Sequence, residues 1–345
     1  MNSLTVHRTC TFLAAALPLA TCALADEVLL TNGDRLTGTV VNKTPEGLVL
    51  DTKYAGKIKI DWRMVETLNT EKPVRVLLRN DEGQLESRLL SATEIGATRL
   101  AAVPEVPAVK LERIAYLNPT ASQSGAGVEY AGRVTLSGGS NSGNSNTTHI
   151  VGEAELRGAE KGARFALRFR GEHRTRDGDL SASNWLGTAE RNWFTDAREK
   201  RFVYARTFAE RDPFRDLSLR AAVGGGYGVQ LIENDSTGLS LKGGLDLVRE
   251  HRIENKDVTF PALGWGVVFR HWLIGRKAEV FHEQDGYVNI EDARDITWRS
   301  RTGLRLPIVD RLTAQVQGIV QWDGQPLNGR KTTDISLQFG LGYEW

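Results

Sequence analysis

From Val128 to Trp345 the sequence is written with a period of two. In the closing stretch DISLQFGLGYEW, Ile335, Leu337, Phe339, Leu341, Tyr343 and Trp345 share one parity, and Asp334, Ser336, Gln338, Gly340, Gly342 and Glu344 share the other. Side chains on a strand alternate between faces, so this segment has one apolar face and one polar or small face. RLTAQVQGIVQW places Leu312, Ala314, Val316, Gly318, Val320 and Trp322 against Thr313, Gln315, Gln317 and Gln321. RFALRFRGE sets Phe165, Leu167 and Phe169 against Arg164, Arg168 and Arg170. DLSLRAAVGGGYGV and GLSLKGGLDL alternate in the same way. Each run lasts about ten residues, beyond the usual soluble strand, and about 9–11 tilted residues is what crosses a bilayer.

About twelve such segments are read, an even number as in outer-membrane barrels. They fall at 128–139, 147–158, 163–173, 184–195, 201–210, 216–230, 238–250, 258–272, 276–287, 294–306, 311–323 and 332–345. Arg191, Arg206 and His282 interrupt the pattern over 184–210 and 276–287. Connections after even-numbered segments (AEKG, TDAREK, ENDSTG, IGRK, IVDR) are short, whereas those after odd ones (SNSGNSN, RTRDGDLSAS, ERDPFRD, RIENKD, NIEDAR, DGQPLNGR) are longer and polar. Short turns at one end and longer loops at the other are the pattern of an outer-membrane barrel. Trp185, Trp193, Trp298, Trp322 and Trp345 fall near predicted strand ends, where the two membrane interfaces collect amphipathic rings into girdles.

The one long apolar run is at the start, in MNSLTVHRTCTFLAAALPLATCALA. Arg8, an apolar core over 12–20 and the small residues Ala23 and Ala25 read as a secretory signal peptide over 1–25, cut before Asp26. Lipidation at Cys22 is disfavoured because Thr21 precedes it. Cleavage removes Arg8 and both cysteines, leaving 43 basic and 43 acidic side chains from the original 44 and 43. The mature chain has no thiol for disulfides or metal thiolates, and its neutrality gives no bias toward nucleic acid.

Residues 26–118 read as a small β domain placed in the periplasm, on the short-turn side, where an even strand count puts both ends of the barrel. VLLTNGDRL (28–36) is echoed by VLLRNDEGQL (76–85), and VETLN (65–69) by IAYLN (114–118), so the domain reads as two tandem SH3-like or Sm-like repeats. Pro104 and Pro107 break the second copy. NPTASQSGAG then supplies a linker over 119–127 without hydrophobic pattern. The expected fold is all-β, with a C-terminal antiparallel transmembrane barrel over 128–345.

The inward parity is the chemically informative one. It carries Arg133, Glu153, Arg164, Arg168, Arg170, Arg220, Lys242, Asp246, Arg299, Arg301, Arg305 and Asp334, together with Glu155, Arg157, Glu172 and Glu250. A tight AEKG turn sets Glu153 opposite Arg168, and opposite charges across strands attract. Two readings stand: a lumen zipped shut by ion pairs, or a narrow path in which Arg299, Arg301 and Arg305 favour anions. An aspartate–histidine hydrolase site assembled from His149, His173, His251, Asp177 and Asp179 is a third, weaker one, since histidines are common on wet rims. GGGYG at 224–228 lacks the helix and lysine of a phosphate loop. No catalytic residue, metal site or cofactor is expected.

Gln338-x-Gly340-x-x-Tyr343-x-Trp345 resembles the C-terminal assembly signal of bacterial outer-membrane barrels, which implies recognition by the barrel-assembly machinery. Through GGGYGVQ, DPFRD, the rim aromatics and FGLGYEW, residues 128–345 resemble the salt-induced outer-membrane protein family, and LTNGDRLTG…LDTKYAGKIKIDW resembles the extension found before some of its barrels. The resemblance implies an outer-membrane location and brings neither a reaction nor a ligand. The expected function is a non-enzymatic, stress-related envelope barrel with a periplasmic interaction domain, or alternatively an anion-leaning channel. The expected partners are outer-membrane lipid, the assembly machinery, and peptidoglycan or another periplasmic partner.

Overall fold

The computed structural model describes residues 25–44, 47–79, 84–105, 108–141, 146–196, 199–234, 236–326 and 331–345. The expected signal peptide lies almost wholly outside them. Two compact units divide between Pro119 and Thr120.

In the first unit, β1 (Asp26–Leu30), β2 (Arg35–Thr44), β3 (Gly47–Thr52), β4 (Gly56–Ile60), a 3₁₀ turn at Trp62–Met64 and β5 (Val65–Asn69) form a first series. A second follows in the same order: β6 (Val74–Leu78), β7 (Gln84–Ser87) with β8 (Leu89–Ser91), β9 (Ala97–Leu100), β10 (Val109–Lys110), a 3₁₀ turn at Leu111–Arg113 and β11 (Ile114–Leu117). In each series the first strand pairs with the last, Val28 opposite Leu68 and Val76 opposite Leu117. All four side chains are fully buried in one cluster with Leu48, Leu50, Leu89 and Ile114. Neither series closes a core alone.

Polar groups lock the two together. Lys43 is 2% exposed, its Nζ donates to the carbonyls of Ile114 and Ala115 at 2.7 Å each, and it lies 5.0 Å from the centre of the Trp62 ring. Trp62 Nε1 donates to Leu111 O (3.0 Å), joining the two 3₁₀ turns. A buried lysine survives only when its charge is hydrogen-bonded. Lys43→Met leaves two buried carbonyls without this donor and is expected to destabilise the unit by about 2 kcal/mol. Limited proteolysis of the full-length protein checks it, as faster cleavage within 26–118 against an unchanged barrel fragment.

The second unit opens with a helical turn at Ala121–Ser124, where the expected linker showed no pattern. Thr120 and Gln123 form a reciprocal cap, and Gly125 ends the turn in the left-handed region (φ 77°). Twelve strands then close a barrel in chain order: β12 (Glu129–Asn141), β13 (Thr147–Glu160), β14 (Ala163–Arg176), β15 (Asp179–Phe194), β16 (Arg201–Asp212), β17 (Leu217–Glu233), β18 (Thr237–Arg252), β19 (Val258–Leu273), β20 (Ala278–Asn289), β21 (Ile296–Val309), β22 (Leu312–Asp323) and β23 (Thr333–Glu344). The count of twelve agrees with the sequence. RTRDGDLSAS does not form a loop: β14 and β15 run through it to a tight turn at Asp177 (φ 52°) and Gly178 (φ 92°).

The outer surface is apolar. Ile335, Leu337, Phe339, Leu341 and Tyr343 are all more than half exposed, while the intervening Gln338 is 3% exposed. Trp298 lies directly opposite Trp322, Trp185 stacks on Phe169 (6.5 Å), and Trp193 is 40% exposed at the far end of β15. Arg191 and His282, which interrupted the alternation, lie on this outer face as polar exceptions, Arg191 bonded to Glu160 and His282 to Thr302 Oγ1 (2.8 Å). Arg206 points inward, so its interruption was of the wrong parity.

The seam between β12 and β23 is short, with register from Arg133 opposite Glu344 to Ser137 opposite Gly340. Its last rung is Trp345, whose N–H donates to Gly132 O (3.1 Å) and whose carbonyl accepts from Gly132 N (3.0 Å). The Trp345 ring covers Gly132 so closely that a Cβ there would sit 2.1 Å from it. Tyr343 stacks on the same ring at 6.4 Å. Gly132→Val must displace the indole and is expected to reduce the fraction of refolded protein that keeps heat-shifted gel mobility. Gly139→Ala, which meets open space, is expected to leave that fraction unchanged.

Candidate functional site: the charged lumen

The inward parity brings charges from all sides into a confined space, where an unpaired charge is expensive and a hydrogen-bonded pair is tolerated. Glu153 is the most heavily bonded acid. It accepts from Arg170 Nη1 (2.7 Å), Arg301 Nη1 (3.3 Å), Gln317 Nε2 (3.2 Å) and Gln315 Nε2 (3.4 Å). Its cross-strand partner is Arg170, and Arg168 faces Glu155. The expected pairing with Arg168 is therefore corrected by two residues, because the β13–β14 turn uses only Lys161 and Gly162.

The other expected lumen residues fall into this network with one exception. Arg133 donates to Glu344 (2.7 Å), Arg168 to Glu155 (2.8 Å) and Arg301 to Glu283 (2.8 Å). Arg220 donates to Glu250 (2.7 Å) and to Glu210, Lys242 pairs with Glu190, and Asp246 accepts from Arg206 Nε (2.9 Å). Arg305 pairs with Glu279, and Arg164 sits at a rim with Glu199 (2.8 Å). Asp334 shares the inward parity but is exposed near the end of β23 and joins no ion pair among the described residues. The run Arg299, Arg301, Arg305 is thus not a free basic stripe, since each guanidinium faces an acid.

Several bridges span walls that are far apart in the strand order. Arg299 on β21 approaches Glu210 on β16 (3.6 Å), five strands away. With its carboxamide oxygen turned toward Arg299, Gln321 accepts from Nε (2.9 Å) and Nη2 (3.1 Å). A 3₁₀ turn at Pro213–Arg215, in the DPFRD connection, sends Arg215 across the mouth to Asp323 on β22 (2.7 Å). Asp216 anchors that turn. It accepts from the backbone of Ile253 (3.1 Å) and Glu254 (2.7 Å) and from Asn255 Nδ2 (2.6 Å), and these hydrogen bonds hold its carboxyl below the usual range. Beside them Ala222, Val248, Phe260, Ala262 and Tyr287 form an apolar cluster within the barrel.

The network leaves a cavity of about 210 Å³. Its lining includes eight basic side chains (Arg133, Arg168, Arg170, Arg206, Arg215, Lys242, Arg299, Arg301) and six acidic ones (Glu153, Glu155, Glu190, Glu210, Glu283, Asp285). The sequence reading missed Glu190, Arg206, Glu210, Arg215, Glu279, Glu283 and Asp285. Most lie on β16 and β20, whose outward residues are too weakly apolar to reveal the parity.

The rim histidines do not converge. His149 Nε2 lies 3.1 Å from Glu172, His251 bonds Asp257 (2.7 Å), and His173, one residue from the inward Glu172 and Arg174, has the opposite parity. Among the described residues no group of three or more His, Cys, Asp or Glu is placed to hold a metal. In the expected assembly signal, Gln338 accepts from Gln317 (3.1 Å) inside the lumen, Gly340 packs against Ser137 at the seam, and Tyr343 and Trp345 lie outside. Removing Glu153 (Glu153→Ala) takes one carboxylate from Arg170 and Arg301, which keep Glu172 (3.4 Å) and Glu283 (2.8 Å), and is expected to cost roughly 1.5–3 kcal/mol. Asp334→Ala is expected to stay within about 0.5 kcal/mol of wild type. Urea unfolding of the refolded protein, followed by tryptophan fluorescence, measures both.

No curated protein matches the sequence. Similar solved structures include the translocator domain of the autotransporter NalP from Neisseria meningitidis (14% identity, 63% of this chain and 88% of that chain, TM-score 0.37). Others are the NanC porin (10%, 62% and 99%, TM-score 0.40) and an anion-selective porin from Comamonas acidovorans (9%, 64% and 99%, TM-score 0.28). The family described as "Protein of unknown function, DUF481" matches residues 134–345, from the seam strand to the last residue. With its closed twelve-stranded barrel and apolar outer face, the chain is an outer-membrane-type β-barrel protein that belongs to the DUF481 family.

Proposed function

We propose that this protein is a non-enzymatic envelope barrel of the salt-induced outer-membrane type, closed at rest by its own side chains, with residues 26–118 in the periplasm as an interaction module. The observation that carries the closed state is the bridging of remote walls, Arg299 to Glu210 and Arg215 to Asp323. An open water-filled path needs a clear lumen, and barrels of about 16 strands and above provide one. Twelve strands with large paired side chains do not.

Periplasmic placement rests on the even strand count, which brings β12 and the chain end to the same rim. A narrow anion-leaning channel is the second reading, favoured by the excess of two basic side chains around the cavity. Liposome swelling separates the two. The closed barrel is expected to admit small sugars and salts no faster than empty liposomes, and the combined Glu210→Gln, Arg215→Ala variant is expected to speed entry several-fold. Rapid swelling with the wild-type protein contradicts closure. Protease added outside intact cells should spare residues 26–118 and cleave them after outer-membrane permeabilisation. Peptidoglycan co-sedimentation that vanishes on deleting 26–118 identifies the module's partner.

A further inference from the structure

The charge pairing of the lumen is incomplete at the cavity. Arg168 spends only Nε, on Glu155 (2.8 Å), and its two terminal nitrogens make no hydrogen bond to the described residues. Arg299 gives Nε and Nη2 to Gln321, reaches Glu210 only at 3.6 Å, and leaves Nη1 without a hydrogen bond to the described residues. These two side chains are each 29% exposed, more than the other arginines lining the cavity. A guanidinium carries five fixed N–H donors and binds carboxylate through pairs of them, so both have donors to spare.

An acceptor lies in the same cavity. Asp285 has a side chain 59% exposed, makes no hydrogen bond to the described residues, and pairs only loosely with Lys242 Nζ (3.4 Å) and Arg206 Nη1 (4.0 Å). Leu186, Phe208 and Ile319 add apolar lining. A few convergent polar groups on a partly apolar concave wall are the marks of a small-molecule site. The lining holds eight basic and six acidic side chains, so a guest carrying one or two negative charges balances it. At roughly 30 Å³ per water, the volume holds several waters or one small organic acid.

We propose that this cavity binds a small hydroxylated carboxylate, its anionic group on the free donors of Arg168 and Arg299 and a hydroxyl donating to Asp285. The site stands whether or not the lumen conducts, so the swelling result does not bear on it. Isothermal titration of the refolded mature protein with sodium gluconate tests it, with sodium hexanoate and sodium chloride as comparators. Gluconate is expected to bind saturably at one site and more tightly than hexanoate, and chloride to give no saturable heat. Arg168→Gln and Arg299→Gln are each expected to weaken gluconate about tenfold, equivalent to about 1.4 kcal/mol. Asp285→Asn, which breaks no hydrogen bond and is expected to fold, should abolish the preference for gluconate over hexanoate while keeping anion binding. Arg164→Gln, at the rim and outside the cavity, should change nothing. No saturable heat with gluconate, wild-type affinity in Arg168→Gln, or equal binding of gluconate and hexanoate in wild type overturns the proposal.

Discussion

In hydrocarbon an unpaired backbone N–H or C=O finds no water, and each costs several kcal/mol. A membrane sheet therefore has no tolerable edge, and every feature of the barrel half of this chain answers to that demand. The strands pair in chain order all the way round, and the circle is joined where β12 meets β23. That join has few rungs, and the last belongs to the final residue. Trp345 completes the seam with its backbone and covers Gly132 with its ring. An exposed indole that would be a liability on a soluble protein is here part of the closure.

Closure creates the second problem. Alternation that turns leucine and phenylalanine outward turns arginine and glutamate inward, into a space too narrow for free hydration. The solution is shared pairing: acids such as Glu153 collect two arginines and two glutamines, and arginines such as Arg299 and Arg215 reach the opposite wall. Such pairs add little net stability over an apolar filling, but they cross-link strands that are remote around the barrel. The DPFRD connection uses the same means at the mouth, with Arg215 held across it and Asp216 tied to the neighbouring loop.

Most of this architecture was legible because period-two alternation and bilayer thickness leave few alternatives. Twelve strands were legible, although alternation is broken over 184–210 and 276–287, and the outward placement of Tyr343 and Trp345 follows from parity. Where outward residues are small or polar, as in Ala205, Thr207 and Ala209 on β16, parity loses contrast, and Arg206 and Glu210 were missed. The register error at Glu153 has a different origin. Moving a pairing by two residues keeps every side chain on its face, so only the turn at Lys161 and Gly162 decides it. RTRDGDLSAS looked like loop text because polar residues continue beyond the apolar belt, yet the strands extend through it to the turn at Asp177 and Gly178. Bridges between distant walls depend on barrel curvature and side-chain reach, which no local pattern encodes.

The claim on which the account turns is that side chains from opposite walls hold the lumen closed. Single-channel recording of the refolded mature protein in a planar bilayer addresses it most directly, with heat-shifted gel mobility confirming that the barrel is folded. The account predicts a folded, silent protein. Discrete conductance steps with anion preference in the wild type, lost in Arg301→Glu, would contradict it and establish a filtering path through the cavity.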